Sequence, residues 1–120
     1  MIEYEVLGDL IEIRTNERQT LLHELVEMFS KQTPERLTSL DLALKAKNKD
    51  LIMRTAHTLR ASCAYLGATE MTLLCADLER WGRDKNCHNM EEAQIYLSAL
   101  EESYEESIGE LKKYLEVLLH

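Results

Sequence analysis

Among the side chains of this sequence that can act as nucleophiles or ligands, His57 has the most informative surroundings. It lies in the segment Asp50 to Leu66, where Ile52, Ala56, Leu59, Cys63 and Leu66 recur at helical spacing. At 100° per residue these five fall within about 80° of each other and form an apolar stripe suited to a core. With His57 set at zero, Asp50, Met53, Ala61 and Ala64 lie within about 40° of it, Arg54 and Arg60 stand about 60° to either side, and the apolar stripe is centred about 140° away. The spacing predicts an imidazole that points out of the protein. The two alanines leave the helix surface open to another protein, and the two guanidinium groups favour a dianion such as phosphate between them. The bland alternative is an ordinary solvated face.

The remaining candidates carry less chemistry. A di-iron site in a helical bundle needs Glu-x-x-His pairs, but the residues three before His23, His57, His88 and His120 are Thr20, Arg54, Lys85 and Val117. Cys87-His88 has no second ligand pair in the sequence. Cys63, Cys75 and Cys87 contain no C-x-x-C and are odd in number, which fits neither a disulfide framework nor a zinc site and points to a reducing, cytoplasmic location. Cys63 and Cys75 fall on adjacent predicted helices as small core residues. No nucleotide-binding glycine motif occurs. Trp81 is expected to pack near one bundle end, and His23 and His120 read as structural or solvated.

The string Ala56-His57-Thr58-Leu59-Arg60-Ala61-Ser62-Cys63-Ala64-Tyr65-Leu66-Gly67-Ala68 resembles the signature of histidine-containing phosphotransfer (HPt) domains. It has the histidine, a hydrophobe two residues later, a basic residue three later, small residues beyond, and Gly-Ala at the helix end. Leu22 to Phe29, Pro34, Cys75, Leu78 and Glu79 extend the likeness over roughly residues 20–115. The resemblance implies that His57 is phosphorylated, that Arg60 offsets phosphate charge, and that Glu79 on the next helix orients the imidazole. Ala61 stands where the family most often has glycine, which adds a methyl group to a docking face composed of Met53, Arg54, Ala61 and Ala64. The family's partners are response-regulator receiver domains and hybrid sensor histidine kinases. The receiver supplies Mg²⁺, so this chain is expected to need no cofactor or metal and to have no kinase activity of its own.

The elements that must position these residues are all helical by period, and strand alternation is absent. The expected segments are 17–32, 34–47, 49–66, 69–85 and 89–119. Thr33-Pro34 reads as an N-cap with proline at the first helical position, Asn48 and Thr69 as further caps, and Gly67 as a C-terminal glycine. Gly82 and Asn86 mark a fraying end, and Asn89 with Glu92 forms a capping box. Connections of one to four residues force neighbours to be antiparallel. The expectation is an all-α, antiparallel, up-down four-helix bundle over residues 17–120, with residues 1–16 as a short helical extension packed on it.

At 120 residues, 45% hydrophobic and 30% charged, with four glycines and one proline, the chain is sized for one domain with few turns. The net charge of −8 argues against nucleic acid or an anionic membrane as partner. Residues 31–60 are the exception, with seven basic against three acidic side chains, and His57 lies within that block. The N-terminal stretch has the features of neither a signal peptide nor a membrane anchor. The starting methionine and short length suggest a free-standing protein, with a domain excised from a hybrid kinase as the alternative, and a monomer is expected. The function expected is a phosphorelay intermediate; the alternative is a helical module that binds a receiver or kinase without accepting phosphate.

Overall fold

The three-and-four apolar period is realised as four helices in a computed structural model that describes Ile2 and residues 15–119. They are α1 (Thr15–Lys45), α2 (Lys49–Tyr65), α3 (Thr69–Arg83) and α4 (Met90–Leu119). Each helix packs against the next, and α4 returns to α1, which closes the up-down bundle. Most of the expected extension over residues 1–16 lies outside the described residues. Among the described residues no helix is long and apolar enough to cross a membrane.

The break expected at Thr33-Pro34 is absent, because α1 runs through both residues. A proline inside a helix costs about 3 kcal/mol, chiefly through the hydrogen bond it cannot donate and its clash with the preceding turn. Two compensations are visible. Leu22, Val26, Phe29, Leu40, Ala43 and Leu44 are all buried, so one stripe continues across the proline; a few such side chains, at about 1.5–3 kcal/mol each, outweigh the penalty. The carbonyl of Ser30, deprived of the Pro34 N–H, accepts instead from the Tyr104 hydroxyl of α4 at 3.3 Å. Thr33 is fully buried and caps nothing.

The other ends follow the local chemistry more closely. Asn48 Oδ1 accepts from Leu51 N at 3.1 Å and caps α2. Gly67, at φ 74°, ends α2 with the paired bonds of a Schellman turn, Ala68 N to Cys63 O at 2.9 Å and Gly67 N to Ala64 O at 3.1 Å. Lys47, at φ 57°, makes the equivalent turn after α1. The residue preceding α3 is Ala68, so Thr69 is its first helical residue and no side chain caps it. Asn89 Oδ1 accepts from the N–H groups of Glu91 and Glu92, but the Glu92 carboxylate accepts from Tyr96 and Cys87 rather than closing a capping box.

The core contains every residue of the stripe read on α2, with Ile52, Ala56, Leu59, Cys63 and Leu66 buried. Met71, Cys75 and Leu78 of α3 and Leu97, Leu100 and Leu111 of α4 meet them. A hydrogen bond with the Cys63 thiol, reinforced by burial, pushes the Cys75 thiol far above its ordinary range, so Cys75 acts as a packed neutral group. Trp81 is buried and donates to Asn89 O at 3.1 Å, while Lys49 lies over its ring and donates to the carbonyls of Asp84 and Cys87. These contacts hold the α3–α4 connection against the start of α2.

Candidate functional site

The Gly67 turn folds α3 back along α2, so a residue some ten positions before it meets one about twelve positions after. That register brings His57 opposite Glu79. Glu79 lies on the buried side of α3, one turn beyond Cys75 and next to Leu78, and is 1% exposed. A carboxylate cannot stay ionised in such a place unless it is paired, and it is paired three ways. His57 Nδ1 lies 2.8 Å from Oε1, Arg83 Nη2 donates to the same oxygen at 2.6 Å, and Arg60 Nη1 forms an ion pair with Oε2 at 3.0 Å.

The carboxylate decides the tautomer. An ionised glutamate can only accept, so Nδ1 carries the proton and, in the neutral ring, Nε2 keeps the lone pair. The His57 side chain is 60% exposed, and among the described residues Nε2 has no partner. One negative carboxylate between two guanidinium groups leaves the cluster with one excess positive charge beside that nitrogen.

His57, Met53, Arg54, Thr58, Glu79 and Arg83 line a recess of about 450 Å³. Arg54 flanks it but pairs with Asp50 at 2.9 Å, so its charge is locally balanced. Ala61 and Ala64 are exposed on the same helix and Met53 is half-buried. Ala61 also lines an apolar groove between α1 and α2, with Leu25, Met28, Phe29, Tyr65 and Leu66. Met28 and Tyr65 are each 51% exposed there. The structure thus brings His57, Arg60 and Glu79 into one cluster, with Met53 and Arg54 around it, while Ala61 lines the neighbouring groove and Ala64 is exposed on the same helix. Sequence reasoning missed Arg83 and the α1 side of the groove. Arg83 was legible as the i+4 partner of Glu79, the favourable acid-before-base order on a helix.

The family model of the Hpt domain matches residues 24–119. The chain belongs to the Hpt domain family. Among relatives of this Hpt domain, the phosphorelay intermediate protein YPD1 of Candida albicans is 26% identical over 91 residues, covering 76% of this chain and 49% of that protein. The sensor protein TorS of Escherichia coli is 29% identical over 96 residues, covering 63% of this chain and 10% of that one. The chain therefore spans about half of the first relative and a tenth of the second. In the crystal structure of histidine-containing phosphotransfer protein B from Pseudomonas aeruginosa PAO1 the same fold recurs, with a TM-score of 0.80 at 24% identity, over 96% of this chain and 94% of that one.

Proposed function

We propose that this Hpt domain is a phosphorelay intermediate. It accepts a phosphoryl group on His57 from the aspartyl phosphate of a receiver domain and passes it to the aspartate of another receiver. The observation that carries this reading is the exposed imidazole whose Nδ1 is engaged by a buried, doubly guanidinium-paired carboxylate. The names of the relatives, a phosphorelay intermediate and a sensor protein, agree with it.

In the step inferred, the Nε2 lone pair forms a bond to phosphorus while the acyl phosphate P–O bond breaks. The receiver's carboxylate departs with that electron pair. The ring becomes a cation that keeps its proton on Nδ1 and donates a hydrogen bond to Glu79, so the carboxylate offsets the charge as it develops. Arg60 and Arg83 are within reach to answer the phosphoryl oxygens, and transfer onward reverses the same events. Mg²⁺ and most of the transition-state stabilisation come from the receiver, whose acidic pocket complements the cationic surface around His57. Met53, Arg54, Ala61 and Ala64 form the docking face. The chain is on this reading a carrier rather than a kinase, without a cofactor of its own. It acts as a monomer in the reducing cytoplasm, where its three unpaired thiols are stable.

The test mixes the protein with a receiver phosphorylated by acetyl phosphate. The expected product carries acid-labile, base-stable phosphate, and His57→Gln carries none. A protein that binds the receiver yet stays unlabelled would establish the module that docks without accepting phosphate.

A further inference from the structure

Gly82, expected from sequence to mark the fraying end of its helix, is the penultimate residue of α3 and is half-buried. A methyl group at this position would stand 2.8 Å from Met53 Cβ, 3.1 Å from Lys49 O and 3.2 Å from Met53 Cα. All three neighbours belong to the framework of α2, and none is the free end of a side chain that could swing away. Gly109 on α4 has nothing within 4 Å of the same point. Of these two glycines, Gly82 is the one that the packing requires.

The place of contact matters for the site. Met53 is one turn before His57 on α2, and Gly82 lies on α3 between Glu79, which meets the imidazole, and Arg83, which pairs with Glu79. Carbon atoms settle at about 3.5–4.0 Å, so a side chain at Gly82, 2.8 Å from Met53 Cβ, forces the helices apart by roughly 0.7–1.2 Å. The His57 Nδ1 to Glu79 Oε1 separation is 2.8 Å, and an added ångström takes it beyond hydrogen-bonding reach. We infer that Gly82 is a positioning residue: it sets the α2–α3 separation at which Glu79, itself held by Arg83, reaches the His57 imidazole. Its consequence for phosphotransfer rests on the function proposed above.

The test compares Gly82→Ala and Gly109→Ala with the parent by two readouts. One is the hydrogen-bonded Nδ1 proton of His57 by ¹H–¹⁵N NMR, which needs no partner. The other is the rate of label uptake from a phosphorylated receiver. Gly82→Ala is expected to keep its helicity, lose the Nδ1 proton signal to solvent exchange, and take up label about tenfold to a hundredfold more slowly, while Gly109→Ala matches the parent. In a Met53→Gly background, which removes the nearest atom, adding Gly82→Ala should slow uptake by less than about threefold relative to Met53→Gly alone. A Gly82→Ala variant that retains the signal and the parent rate overturns the inference, as does an equal loss in both backgrounds. If Gly82→Ala alone does not fold, recovery of the fold and the Nδ1 signal in the double variant supports the inference, and continued unfolding overturns it. A parent that takes up no label refutes the phosphotransfer reading and leaves the NMR comparison to decide the role of Gly82.

Discussion

Replacing Glu79 by Gln keeps the shape of the side chain and removes its charge, which isolates the electrostatic part of its action on His57. A hydrogen bond to a charged acceptor contributes about 1.5–3 kcal/mol, against about 0.5–1.5 for a neutral one. The ring turns cationic as Nε2 takes phosphorus, so the difference is felt in the transition state. At the 2.8 Å separation of Nδ1 and Oε1, water-like screening leaves about 1.5 kcal/mol between unit charges. That end of the range applies because the His57 side chain is 60% exposed. Both routes converge on a loss near 1.5 kcal/mol, or about a tenfold slower uptake of phosphoryl group. The assay is single-turnover transfer from a ³²P-labelled receiver, with circular dichroism as a control for the fold. Arg60 and Arg83 are partly exposed and can hydrate when their partner is neutral. Glu79→Ala, which also removes the acceptor, should be slower still. Transfer by Glu79→Gln within twofold of the parent, with His57→Gln inactive, would refute the argument that Glu79 works through the charge on the imidazole.

Three further outcomes rest on the fold. Pro34→Ala should stabilise the protein by about 1–3 kcal/mol in urea denaturation, because it restores a helix hydrogen bond. Tyr104→Phe should cost about 1–3 kcal/mol in the parent by leaving the Ser30 carbonyl unpaired, and less in Pro34→Ala, where the restored N–H takes over. Equal losses in the two backgrounds would show that Tyr104 does not act through that carbonyl. At alkaline pH, the hydrogen bond to Glu92 raises the Tyr96 phenol above its ordinary value of 10, and burial, with the charge of Glu105, raises Tyr104 above the same value. The fold favours both neutral phenols, so their contribution to stability is whole below pH 10 and is lost as the pH rises through the higher folded values. Denaturation midpoints should fall above about pH 10, less steeply in Tyr96→Phe, and an unchanged slope in that variant would contradict the assignment.

What could be read from the sequence was what neighbouring residues decide among themselves. The exposure of His57 and the burial of Ile52, Ala56, Leu59 and Cys63 follow from one helical period. Asn48 and Gly67 end their segments with partners three to five residues away. Pro34 defeated the same logic because its compensation comes from Tyr104, 70 residues further along, and no local pattern reports a distant hydroxyl. Gly82 does stand next to the end of α3, but its packing role lies in the approach of Met53 from another helix, which no local pattern reports. Glu79 was found as the partner of His57 only through resemblance to a family. Its burial among arginines depends on the register of two helices, and Arg83 was overlooked with it.

The account rests on Nε2 being the reacting nitrogen, since Glu79 occupies the other. The most direct measurement is ³¹P and ¹H–¹⁵N NMR of the protein after transfer from a phosphorylated receiver, which identifies the phosphorylated atom. The prediction is a single phosphoramidate on His57 Nε2, with Nδ1 still protonated and donating to Glu79. Phosphate on Nδ1, on another residue, or on none would contradict it.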